Sequence, residues 1–89
     1  MRKIEQQMLA AVRSNCTFGG GNTTVCVNGQ HLQVLLHGHE IASGPVGALT
    51  VNLDTLRDWP TNTTMSRLRA LGFNVYRKGG VPMLDGNPV

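Results

Sequence analysis

The sequence predicts an α+β fold: a small antiparallel sheet, made of a three-stranded meander plus short strands, with an N-terminal helix and a second helix packed on one face. Three observations carry this reading. Ile4, Met8, Leu9 and Val12 recur at helical spacing near the start. Asn28-Gly29 and His37-Gly38 cut an alternating apolar stretch into three runs. Trp59-Pro60 and Gly72 bracket a segment rich in helix formers. At 89 residues, 40% hydrophobic and 15% charged, the chain has room for a single domain over 1–89 with a small core.

The first helix is expected over residues 2–13, ending at Ser14 and Asn15. Residues 18–22 (Phe-Gly-Gly-Gly-Asn) read as a flexible connector. Their glycines lack the later Gly-Lys-Ser/Thr of a phosphate loop, and no strand precedes them. Residues 23–27 and 30–36 flank Asn28-Gly29, a strong hairpin signal. A two-residue turn there pairs Val27 with Gln30 and Val25 with Leu32, so that Val25, Val27, Leu32, Val34 and Leu36 share one face. A second turn at His37-Gly38 pairs Leu36 with His39 and Val34 with Ile41. Residues 43–48 read as a loop. Leu49, Val51 and Leu53 alternate with polar residues as a short strand. Residues 54–58 fit either a loop or one helical turn.

Pro60 disfavours helix at Trp59, Thr61 or Asn62 can cap a helix start, and Gly72 suits the left-handed position past a helix end. At roughly 100° per residue, Met65, Leu68 and Leu71 of a helix over 62–71 form an apolar arc. Asn62, Thr63, Ser66 and Arg67 are expected to face outward, with Arg69 at the margin. Phe73 and Val75 begin another strand, and Arg77-Lys78-Gly79-Gly80 turns the chain into residues 81–84, where Pro82 limits pairing to an edge. Residues 85–89 read as a frayed, flexible tail.

The outward arc and the 77–80 hairpin tip are the candidate binding surface. No acidic residue lies between Asp58 and Asp85, whereas Arg67, Arg69, Arg77 and Lys78 fall inside that window. Such guanidinium groups suit an anionic partner such as phosphate. The net charge of +3 makes this a local patch rather than a strongly basic protein. Few aromatics are present, which disfavours base stacking along a single strand. Trp59, the sole tryptophan, is expected to cover the helix start or to anchor a partner.

Cys16, Cys26, His31, His37 and His39 have metal-ligating chemistry. Their spacing matches no structural zinc site, and the expected register sends them to different faces, so no metal or cofactor is expected. A reducing cytoplasm argues against a Cys16–Cys26 disulfide. Cys26 opposite His31 would lie on an open strand face without a cleft or a third orienting group. Glu40, Asp54 and Asp58 have no spacing that forces them together. A non-enzymatic protein is therefore expected. No apolar run is long enough to span a membrane, and the charged start lacks a secretory pattern. The Asn-x-Ser/Thr sites at Asn15, Asn22 and Asn62 then read as turns and caps.

Lys3-Ile4-Glu5 leading to Met8-Leu9-Ala10-Ala11, then Asn22-Thr23-Thr24-Val25, Leu36-His37-Gly38-His39-Glu40-Ile41-Ala42, and Trp59 with Thr63-Thr64-Met65-Ser66-Arg67-Leu68 together resemble a group of short, uncharacterised proteins encoded by tailed bacteriophages. The resemblance implies a phage accessory protein in the host bacterial cytoplasm, and no catalytic residue or cofactor. The residues themselves, apart from the resemblance, point first to nucleic-acid phosphates as the partner, with a host bacterial protein as the alternative. Nucleic-acid phosphates would meet Thr63, Ser66, Arg67, Arg69, Arg77 and Lys78. A host bacterial protein would use the same surface with Trp59 or Leu35 as its apolar anchor. A self-associating structural protein is a third reading, which gel filtration would decide.

Overall fold

Two-residue turns set the architecture, which a computed structural model describes for residues 2–89. In chain order the elements are α1 (Lys3–Arg13), β1 (Phe18–Gly20), β2 (Thr23–Asn28), β3 (His31–Leu36), β4 (His39–Pro45), β5 (Thr50–Val51), α2 (Leu53–Asp58), α3 (Asn62–Ala70), β6 (Val75–Lys78), β7 (Val81–Leu84) and β8 (Asn87–Pro88). Strands β1 to β5 form one antiparallel sheet in sequence order, and β6 to β8 form a second. The α+β class holds, and the expected meander is the centre of the larger sheet.

The first hairpin turns at Gly29-Gln30, not at Asn28-Gly29, because Asn28 pairs with His31 and Val25 with Val34. Gly29 takes φ 65 at the first central position, which suits a type II′ turn. Moving the turn by one residue shifts each pairing by two. Side-chain direction has a period of two, so the inner face is unchanged. Leu36 does pair with His39, as expected, across a His37-Gly38 turn in which both residues have positive φ. Beyond it a bulge pairs Val34 with Ala42 instead of Ile41. Ile41 and Ala42 are consequently both buried, which regular alternation forbids.

Several segments expected to be irregular are ordered by pairing. The 18–22 connector contains β1, whose Phe18 pairs with Val25. β4 continues through Pro45 into the expected loop. Gly44 takes φ 142 there, and a Cβ on it would meet the Ala48 carbonyl oxygen at 2.7 Å, so the chain returning to β5 needs glycine. Leu53 starts α2 and is exposed rather than an inward strand residue. Asn52 caps this helix, its Oδ1 accepting from the Thr55 amide at 3.0 Å. The expected tail instead turns at Asp85-Gly86 and returns as β8. That places β7 between two strands, so Pro82 is not confined to an edge. Its carbonyl still accepts from the Val89 amide at 3.0 Å.

The core lies between the larger sheet and the helices. Met8 from α1, Leu56 from α2 and Met65 and Leu68 from α3 meet Val25, Leu32, Val34 and Ile41 of the sheet, all essentially inaccessible to solvent. Each such side chain contributes about 1.5–3 kcal/mol by leaving water. Val75 carries the smaller sheet into the same core.

Candidate functional site

Helix α3 begins where the sequence places it. Thr61 is the N-cap, its hydroxyl oxygen accepting from the Thr64 amide at 3.2 Å. Gly72, φ 102, follows the C-cap Leu71 and donates to the Arg69 carbonyl at 3.0 Å. The buried face of α3 is wider than its apolar arc, however, because the helix packs on α1 as well as on β4 and β6.

Arg67 corrects the expectation of an outward basic plate. It is 3% exposed, and its Nη1 donates to Glu5 Oε2 at 2.7 Å. Its Nε donates to Thr23 Oγ1 at 3.0 Å and its Nη2 to Asn22 Oδ1 at 3.3 Å. The Ser66 hydroxyl donates to the same Glu5 oxygen. At roughly 100° per residue Arg67 lies only about 60° around the helix from buried Thr64, close enough for α1 and the β1–β2 turn to cover it. Arg67 and Ser66 thus serve the fold, joining α1, α3 and β2, and are not free for a partner.

Burial by itself pushes the Glu5 carboxyl up, but the Ser66 hydroxyl, the Arg67 guanidinium and the Arg2 amide together hold it below its ordinary value of 4.5. A lowered folded-state value means that this stabilisation is complete above the unfolded-state value and is lost as pH falls through the folded one. Urea melts at stepped pH are expected to show the wild type losing stability below 4.5 more steeply than Glu5→Gln, which has no carboxylate to protonate there. Parallel acid limbs would mean that the Glu5 carboxyl titrates alike in the folded and unfolded protein, so that the buried pair contributes no pH-dependent stability.

The other expected site residues separate into two groups. Arg69 is exposed, and its Nε donates to the Val75 carbonyl at 2.9 Å, clamping β6 to the helix. Arg77 is exposed and donates to the Pro60 carbonyl at 3.2 Å and to the Asn62 side-chain oxygen. Lys78 is exposed at the Gly79-Gly80 turn. Among the described residues no carboxylate pairs with Arg69, Arg77 or Lys78.

Trp59 and Thr63 belong to a different feature. Trp59, the C-cap of α2, is 53% exposed rather than a lid over the core. Its ring stacks on His39 with centroids 4.9 Å apart and planes 25° from parallel. Beside the pair is a groove of about 350 Å³, with Leu36 and Ile41 in its lining together with Thr55, Thr61 and Thr63. His39 leaves β4 on the same side as its partner Leu36, as the turn register predicts, but remains exposed. Leu36, His39, Ile41, Thr55 and Thr61 were not expected here. The Leu36–His39 pairing was readable; its approach to the α2–α3 linker is a tertiary fact.

The cysteines and histidines do not converge. Cys16 is exposed, with its thiol donating to the Ser14 carbonyl at 3.3 Å, and Cys26 is half-buried opposite Gln33. His31 is exposed at the end of β3, and His37 occupies a turn. Among the described residues no three His, Cys, Asp or Glu side chains are grouped to hold a metal ion, and no helix is long and apolar enough to cross a membrane.

Comparison with known proteins gives one family. Curated proteins and solved structures yield no significant match. A family model described as Kyanoviridae Gp96 protein matches residues 1–88, nearly the whole chain. The chain therefore belongs to this cyanophage family, in keeping with its resemblance to short tailed-phage proteins.

Proposed function

We propose that this is a non-catalytic phage accessory protein that docks on a protein of the infected bacterium through the groove beside Trp59. The observation that carries the reading is a tryptophan half in solvent yet stacked on His39 at the mouth of an apolar hollow. Tryptophan concentrates at the centres of protein interfaces, and a ring already held in place loses little freedom on binding. Phosphate binding by the outer face of α3 has weaker support, since Glu5 engages both Arg67 and Ser66. Contact through Arg69, Arg77 and Lys78 is the competing outcome.

The test is a pull-down from host lysate with wild type and Trp59→Ala, each with and without nuclease and at moderate salt. A protein retained by wild type in nuclease and salt, and lost with Trp59→Ala, supports docking. Retention that disappears with nuclease or salt and ignores Trp59 replaces it with a nucleic-acid function.

A further inference from the structure

Trp59, Thr61 and Thr63 line the groove, whereas Pro60 and Asn62, which alternate with them, do not. Those two residues are gripped from another part of the fold. Arg77 Nη1 donates to the Pro60 carbonyl at 3.2 Å, and its Nη2 donates to the Asn62 side-chain oxygen. Within the linker, the Thr61 amide bonds the Trp59 carbonyl at 2.8 Å, a tight turn about Pro60 that ties neighbours only to each other. The strand that carries Arg77 is itself anchored. Val75 at its start is 2% exposed in the core, and the Val75 carbonyl accepts from Arg69 Nε at 2.9 Å. β6 is thus fastened to α3 at both ends, by Arg69 late in the helix and by Arg77 at the helix start.

Resting on the docking reading above, we infer that Arg77 is a positioning residue for the groove. It grips the residues of the 59–63 segment that do not line the groove, and so holds Trp59 ready for a partner that Arg77 itself does not touch. The fixed fork of a guanidinium can bridge two acceptors at once, which the single point of an ammonium cannot match. The stack on His39 holds the Trp59 ring against β4, and Arg77 holds the backbone that carries the ring. A wall fixed before docking gives up less freedom when the partner arrives, so the clamp raises affinity without adding a contact.

The probe is a short peptide selected from a random displayed library on the immobilised full chain, with counter-selection on Trp59→Ala. It is titrated against wild type, Arg77→Ala, Arg77→Lys, Asn62→Ala and the combination of Arg77→Ala with Asn62→Ala. Fluorescence anisotropy of Trp59, the sole tryptophan, is measured for each protein without peptide. Each single variant is expected to bind about three- to tenfold more weakly, Arg77→Lys included although it keeps the charge. The combined variant is expected to bind no more weakly than Arg77→Ala alone, because both changes break the same link. Anisotropy is expected to fall in every variant as the linker loosens. Asn62→Ala leaves Arg77 in place, so the test stands even if Arg77→Ala loosens the β6–β7 hairpin.

A loss in Arg77→Ala alone, with Arg77→Lys and Asn62→Ala binding as wild type does, would make Arg77 a charge contact. That result overturns the clamp and leaves docking at Trp59 in place, as does wild-type affinity in all variants. If no Trp59-dependent peptide can be selected, the docking reading falls and anisotropy alone decides the clamp. A fall in Arg77→Ala and Asn62→Ala then supports it, and an unchanged value overturns it.

Discussion

Arg67→Ala is expected to destabilise the protein by about 3–5 kcal/mol, the cost of leaving one member of a buried ion pair without the other. Glu5 is 3% exposed, so water cannot replace the missing guanidinium without opening the contact between α1 and α3. Thr23 and Asn22 lose their donor in the same step. For a domain of this size each kcal/mol lowers Tm by about 4–8 °C, so the variant is expected to melt at least about 12 °C below wild type. Glu5→Leu combined with Arg67→Met removes both charges and is expected to recover much of the loss, since apolar replacements of buried pairs are often neutral or stabilising. Thermal and urea melts of the two single variants and the double variant measure this coupling. A loss under about 1 kcal/mol would mean that the pair is solvated. Arg67 would then be available to a partner after all.

That arginine also marks where sequence reasoning ends. Much that is decided within a few residues was legible: the Thr61 cap, the Gly72 stop, and the inner face of the meander, which survived a misplaced turn because the slip preserved parity. Arg67 was not legible in this way. Its acidic partner comes from α1, 62 positions away, while the local window from Asp58 to Asp85 is free of carboxylates. The bulge that buries Ile41 beside Ala42 likewise follows from packing under α2 and α3, which no alternation pattern encodes. β8 is a different case. Asp85-Gly86 carries a strong type I′ signal, and both residues have positive φ, so this turn is written in the local sequence although residues 85–89 read as a frayed tail. The groove unites the β3–β4 turn with the α2–α3 linker, so Trp59 was visible as a candidate while His39 and its neighbours were not.

Trp59→Ala is expected to do the reverse of Arg67→Ala, lowering affinity for the captured partner by at least about thirtyfold while leaving the fold in place. An interface tryptophan at a hot spot contributes about 2 kcal/mol or more, which is that factor in Kd. The stability cost is expected to be about 1 kcal/mol, because the half-exposed ring gives up chiefly its stack on His39. Trp59→Phe keeps an aromatic face over His39 and is expected to retain much of the affinity. His39→Ala keeps the tryptophan but frees its ring, so its smaller loss measures what holding the ring in advance contributes. Calorimetric titration of each variant, beside its thermal melt, separates binding from folding. If Trp59→Ala binds as wild type does, the groove is not the docking site. If affinity falls only in step with stability, the tryptophan belongs to the scaffold. A large affinity loss on an intact fold, set against a large stability loss in Arg67→Ala, would divide the 59–71 segment into a working edge and a structural spine.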